Sequence, residues 1–245
     1  MTKTSLSRKI CADFANANAR LILPALIGMF FLLGCANLKG QGLKEYYEVR
    51  SYFGTTISIR CFYDADIDIS AVARVCWKKA DQIQLNMNVY DETKQGDLIR
   101  LNMSGFEGVR VGEDVYKVLQ HAIEYSRLTG GAYDVTILPL VELWKSAARQ
   151  NRLPDQDSVE SAKGKVGFEN LRLQDPNLVF FMKKGMKVDF GSPAPAYFCD
   201  EVARILDANH IKHFLVDGGG EIFCRGKDAG KNPWRIGVHD PFNKT

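Results

Sequence analysis

A helical pattern that runs straight into two adjacent glycines sets the frame for this chain. From Glu113 to Leu128 the apolar residues Val115, Val118, Leu119, Ala122 and Ile123 recur at helical spacing, with Ser126 on the same stripe. Glu113 and Asp114 suit the positive end of that helix. Residues 129–144 then read Thr-Gly-Gly-Ala-Tyr-Asp-Val-Thr-Ile-Leu-Pro-Leu-Val-Glu-Leu-Trp. Gly130 suits the position after a helix C-cap. Both glycines admit positive φ and let a ligand approach the backbone. Asp134 offers acceptor oxygens or a counter-charge for a cation. Pro139 is expected to end any strand or helix begun at Val135. Taken alone, the stretch fits a capped helix with a turn as well as it fits a ligand-facing turn.

The remaining pattern is mixed. Tyr46 to Phe62 alternates loosely about Gly54-Thr55 and reads as two strands or one bent strand. Ser70 to Met87 reads as a helix with Ser70 as N-cap. Residues 88–102 read as a polar loop closing on a short apolar piece. A short helix is expected near Asp155–Lys163, and strand-like pieces at Leu171–Leu173, Leu178–Met182 and Met186–Phe190. A helix follows from about Tyr197 to Ala208. Phe214–Val216, Glu221–Cys224 and Trp234–Val238 read as strands. The steady β-α-β rhythm of a doubly wound sheet is missing, which favours an α+β class.

Charge is informative by position. Of the formal net charge of +3, the whole is carried by residues 1–20, where Lys3, Arg8, Lys9 and Arg20 face only Asp13. The remainder is neutral, so nothing suggests a nucleic-acid footprint. The basic start precedes 13 apolar or small residues, Leu21 to Leu33. That is short of the ~20 residues a membrane span needs and suits a signal segment. Its end, Leu32-Leu33-Gly34-Cys35, resembles the bacterial lipobox, in which the cysteine is lipidated and becomes the first mature residue. The other readings are an ordinary signal peptide with a chance cysteine and an uncleaved anchor. The lipobox reading makes residues 1–35 a lipoprotein signal peptide, 36–45 a tether and 46–245 the folded domain. It places an exported bacterial lipoprotein on the periplasmic or outer side of the inner membrane, held by acyl chains at about 0.8 kcal/mol per buried CH₂. Cys61, Cys76, Cys199 and Cys224 have no CxxC spacing, so no zinc site is implied. Export permits disulfides, but buried free thiols are expected.

Three turns carry the polar signal: Gly130–Asp134, Asp189–Ala196 and Asp217–Gly220. Each joins an aspartate to small residues at the end of an apolar element. Such turns suit a phosphate-bearing ligand met by backbone N–H groups and a metal ion. None matches a dinucleotide or P-loop fingerprint, and each alone also fits a hairpin or cap. His121, His210 and His213 show no ligand spacing. No GxSxG or Cys/His signature supports a covalent nucleophile. Tyr90, Tyr133 and Trp144 offer faces for a flavin or adenine ring, and equally for rim or core packing.

Read together, these pieces resemble the FAD:protein FMN transferases of the ApbE type. The family's Met-Gly-Thr appears as Phe53-Gly54-Thr55, and its Tyr-Asp…Asn loop as Tyr90 to Asn102. Its Thr-Gly-Gly-Ala-Phe-Asp…Pro-Leu…Leu-Trp run appears at 129–144. Its Asp-Leu-Gly-Gly-Ile-Ala-Lys-Gly…Asp run appears at Asp189 to Asp200, and its Gly-Gly-Asp/Glu-Ile at Gly219 to Ile222. The resemblance covers essentially all of residues 46–241. It implies a T-fold-like α+β flavin-binding domain of mixed antiparallel sheets with packed helices. It implies transfer of FMN from FAD to a threonine hydroxyl of a target flavoprotein, of the kind found as a membrane redox-complex subunit, with Mg²⁺ as cofactor and AMP released. Phe53, Tyr90, Ala132, Tyr133, Asp134, Asp189 and Pro195 would line the FAD site, and Ser192 would be a metal ligand. No catalytic residue is assigned. Asp134→Ala is expected to weaken flavin or metal affinity without unfolding the domain.

Two departures qualify the resemblance. The second run has become Asp-Phe-Gly-Ser-Pro-Ala-Pro-Ala, which loses the lysine and two backbone donors. The sequence also stops before the family's last segment, which supplies further metal ligands. A flavin-binding protein without transfer and an FAD pyrophosphatase are therefore the alternatives. Lysine at 195 is expected to strengthen flavin binding.

Overall fold

The computed structural model describes residues 42–91, 93–229 and 231–238, with Asp240 and Phe242. The leader, Cys35 and residues 36–41 of the tether lie outside the described residues. Strands β1 (Lys44–Tyr52) and β2 (Thr55–Tyr63) form an antiparallel hairpin. Lys44 and Glu45, expected in the tether, already pair with Tyr63 and Phe62. Only Phe53 and Gly54 lie between the strands, with φ of 54° and 77°. Two positive φ values match the tight hairpin whose twist suits its strands. Glycine adopts them freely, but a phenylalanine there is strained.

Among the described residues six α-helices follow: α1 (Ile69–Met87), α2 (Asp97–Met103), α3 (Glu113–Leu128), α4 (Leu138–Arg149), α5 (Gln156–Lys163) and α6 (Pro193–Ala208). Helix α3 has the expected bounds and buries the expected stripe. Helix α1 is capped by Asp68, whose Oδ1 accepts the Ala71 N–H at 3.1 Å, so Ser70 lies inside it. Helix α2 falls where a loop was expected. Its Asp97 carboxylate accepts the Gly112 N–H at 2.6 Å and pairs with Arg100, while Leu98 and Leu101 are fully buried. Pro139 opens α4 rather than ending an element, and Pro193 likewise opens α6 ahead of the expected start at Tyr197. The first helical N–H has no intrahelical partner, so proline costs nothing there.

The main sheet runs β1-β2-β6-β7, all antiparallel, with β6 at His213–Asp217 and β7 at Ile222–Arg225. A second sheet joins β3 (Val109–Arg110), β5 (Leu178–Phe181) and β4 (Leu171–Gln174), also antiparallel. Residues 186–190 are not a strand; they make one parallel bridge, Lys187 to Ile137. Residues 234–238 are not a strand either. Trp234 instead stacks on Phe62 at 6.0 Å and donates to the Arg225 carbonyl at 2.9 Å.

Ile57, Ile59, Phe214 and Val216 on one face of the main sheet are fully buried. Helices α1 and α6 supply Cys76, Trp77, Phe198 and Val202 to the same core. Burial of each large apolar side chain contributes about 1.5–3 kcal/mol. Sheets and helices are segregated, which makes this the α+β fold that the sequence pattern favours. Among the described residues no helix is long and apolar enough to cross a membrane. Cys61, Cys76 and Cys199 are buried free thiols, while Cys224 is free and exposed.

Candidate functional site

The two glycines after α3 form a helix stop. Gly130 N–H donates to Arg127 at 3.1 Å and Gly131 N–H to Ser126 at 2.8 Å, with φ of 61° and 84°. This is the Schellman pairing, so the capped-helix reading holds for both glycines. The chain then turns at Asp134. Its Oδ1 accepts the Thr136 N–H at 2.8 Å and the Thr136 hydroxyl at 2.7 Å, and its Oδ2 accepts the Phe168 N–H at 3.0 Å. Thr136, fully buried, accepts the Gly167 N–H at 2.8 Å. Asp134 thereby ties its own turn to the loop before β4.

The other two aspartates behave alike. Asp189 Oδ1 accepts the Gly191 N–H at 2.9 Å. Asp217 Oδ1 accepts Gly219 and Gly220 N–H at 2.8 and 2.9 Å. All three therefore accept an N–H two residues on, the self-capping geometry that favours aspartate in turns. The third turn docks on α6: a Cβ at Gly218 would lie 2.7 Å from the Pro195 carbonyl oxygen, so only glycine fits.

Two cavities flank the turn at 189–193. The first, about 400 Å³, is lined by Phe53, Tyr90, Lys145, Asp189, Phe190 and Gly191 among others. Phe53 reaches it from the hairpin tip, held there by Gln84 Oε1, which accepts its N–H at 2.8 Å. Its ring also packs 6.0 Å from Phe198. Tyr90 donates to Asp189 Oδ2 at 2.7 Å, and Lys145 Nζ sits 3.6 Å from the Tyr90 ring centroid. Burial, then the bond to Asp189, raises the Tyr90 phenol well above its ordinary value. The cavity thus offers aromatic surface, one cation and one carboxylate, which suits a planar ring with a polar edge.

The second cavity, about 510 Å³, lies between the end of α3 and the start of α6. Tyr125, Tyr133, Ser192, Tyr197, Asp200 and Glu221 are among its walls. Burial first, then the charges of Asp134 and Asp189, push the Tyr133 phenol up to about 12. The start of α6 is poor in anion donors. Pro193 and Pro195 have no N–H, the Ala194 N–H is taken by Phe190 at 3.0 Å, and the Gly191 N–H by Asp189.

The predicted residues therefore divide. Phe53, Tyr90 and Asp189 share the first cavity; Tyr133 and Ser192 share the second. Ala132 is exposed and lines neither, and Asp134 is half-buried with its contacts spent on the protein. Pro195 is buried under the Gly218 turn and lines neither cavity, because α6 begins two residues before it. Among the described residues no three His, Cys, Asp or Glu side chains come together to hold a metal ion. Ser192, the expected metal ligand, lines the second cavity together with Asp200 and Glu221. Gln84 and Lys145 are site residues that the sequence pattern missed. One lies within α1 and the other in a helix that the proline had hidden.

Comparison with known proteins gives a consistent picture. The model of the ApbE family matches residues 53–245. The chain is similar to the FAD:protein FMN transferase of Escherichia coli K12, at 26% identity over 230 residues, covering 89% of this chain and 65% of that protein. It is also similar to the FAD:protein FMN transferase of Haemophilus influenzae, at 28% identity over 197 residues, covering 77% and 56%. Among solved structures, the flavin transferase ApbE of Vibrio cholerae superposes with a TM-score of 0.76 at 27% identity, covering 81% of this chain and 65% of that one. The ApbE protein of Thermotoga maritima gives 0.73 at 28% identity, covering 82% and 65%. The chain thus spans less than two thirds of the length of these relatives.

Proposed function

The chain belongs to the ApbE family, and we propose that it binds FAD and serves the transfer of its FMN half to a threonine hydroxyl of a target flavoprotein. The observation that carries this reading is the convergence of Phe53, Tyr90 and Asp189, from three distant stretches, on one cavity. A second cavity lies directly across the 189–193 turn. A dinucleotide has two ring systems joined by a pyrophosphate, and two adjacent cavities of these sizes suit its halves. In the proposed reaction the threonine oxygen attacks the FMN-side phosphorus. The bond to the bridging oxygen breaks, AMP departs, and the hydroxyl proton passes to solvent or a base that remains unassigned. Mg²⁺ dependence and a redox-complex subunit as target belong to the proposal. So does export as a lipoprotein lipidated at Cys35; Cys35→Ser would then lose acylation and membrane attachment.

The proline-interrupted start of α6 favours a second reading, flavin binding without transfer. Two backbone donors are missing there at Pro193 and Pro195, and those of Gly191 and Ala194 are already paired. One assay separates the readings: purified protein, FAD, Mg²⁺ and a threonine-bearing acceptor. Covalent flavin on the acceptor supports transfer. FMN and AMP with unmodified acceptor indicate a pyrophosphatase. Retained FAD without turnover supports the second reading, and no FAD binding rejects all three.

A further inference from the structure

Asn102, near the end of α2, makes an unusual pair of contacts. Its Nδ2 donates to the Val188 carbonyl at 2.9 Å, and its Oδ1 accepts the Val188 N–H at 2.8 Å. One side-chain amide thus satisfies both backbone groups of a residue 86 positions away. A neighbouring strand would do the same by exchanging both bonds with one residue. On the opposite edge the Asp189 N–H donates to Val135 at 3.0 Å, and Lys187 bridges Ile137. A segment that belongs to no sheet is therefore fixed from both sides. Asp189 comes next, and its two oxygens hold Tyr90 and Gly191. Asn102 itself lines neither cavity.

We propose that Asn102 is a positioning residue for the first cavity: by clamping both backbone groups of Val188, it sets where Asp189 presents its carboxylate and hence where Tyr90 stands. What the cavity binds rests on the flavin reading; the clamp does not. An apolar residue of the same size would leave two backbone groups unpaired, and the segment would shift toward the Ile137 side or loosen.

The test uses the full chain labelled with ¹³Cζ-tyrosine, the Tyr90 signal being assigned with Y90F. N102L removes both hydrogen bonds at similar volume. N102D keeps the acceptor for the Val188 N–H and loses the donor to its carbonyl. In wild type, Tyr90 stays protonated to higher pH than a solvent-exposed tyrosine. Both variants and D189N are expected to bring its titration back toward the ordinary range, and N102L/D189N to move it no further than D189N alone. Affinity for FAD, read by fluorescence, is expected to fall roughly tenfold in N102L, with the same non-additivity toward D189N. An unchanged Tyr90 titration in a folded N102L, or losses that simply add, would overturn the clamp. A wild type that binds no FAD rejects the flavin reading, and the Tyr90 titration then decides the clamp alone. Should N102L not fold, N102D carries the same comparison.

Discussion

The Tyr90 hydroxyl donates to the Asp189 carboxylate at 2.7 Å, joining residues 99 apart in sequence at the rim of the first cavity. Tyr90 is 54% exposed, so the bond contributes little to folding, at most about 1 kcal/mol. Its use is to hold a ring and a charge at fixed separation. Y90F is expected to weaken FAD binding several-fold in a fluorescence titration while the melting temperature moves by no more than roughly 3 °C. Unchanged affinity with a large thermal loss would show that the pair serves the fold instead.

Asp134 is expected to behave in the opposite way. Its carboxylate takes three donors, two of them from fully buried Thr136. Asp134→Ala leaves those donors unsatisfied, at a cost of about 1–3 kcal/mol for the buried group. The expected outcome is a clear fall in denaturant midpoint, with any loss of flavin affinity following from it. This reverses the expectation drawn from the sequence, where an aspartate in a glycine turn looks available to a ligand. Asp134→Asn, which keeps the acceptor oxygen, should retain most of the stability. Loss of flavin affinity in Asp134→Ala with an unmoved midpoint would restore the ligand role.

How much of this was legible in the sequence depends on where the determining contact lies. Helix α3 was readable because its stripe and its glycine stop are local. Family resemblance pointed to the right fold, since motif order survives where identity is low. The starts of α4 and α6 were not readable, because a proline breaks helices inside them and favours their first turn. Nor were the clamps. Gln84 on Phe53 and Asn102 on Val188 join residues 31 and 86 apart. No spacing rule reaches across such distances. The three aspartates show the limit most clearly. A carboxylate beside glycines has the same composition whether it faces a ligand or caps its own turn.

Lysine at 195, suggested by the family pattern, is expected to harm the protein rather than repair it. Pro195 is buried in the first turn of α6, beneath the Gly218 turn. An ammonium placed there must lose water on burial, or force the turn open. P195K should lower the melting temperature by roughly 2–4 °C for each kcal/mol lost, with no gain in FAD affinity. A stable P195K that binds FAD more tightly would mean that the lysine escapes toward the cavity and that the family pattern outweighs the packing.

Alkaline pH should test the core directly. Burial pushes the thiols of Cys61, Cys76 and Cys199 up to about 12 from an ordinary 9.0. At Cys199 the nearby charges of Asp217, Glu221 and Asp200 add to that shift. The folded state thus holds protons that the unfolded chain gives up earlier. The stability tied to this is whole below pH 9 and is lost as pH climbs from 9 toward 12. The melting temperature should therefore fall more steeply above pH 9 in wild type than in C199A, each compared with its own value at pH 8. Brief alkylation at pH 8 followed by peptide mapping should label exposed Cys224 well before the three buried cysteines. Early labelling of Cys199 would mean that α6 and the Gly218 turn open readily, and with them the wall between the two cavities.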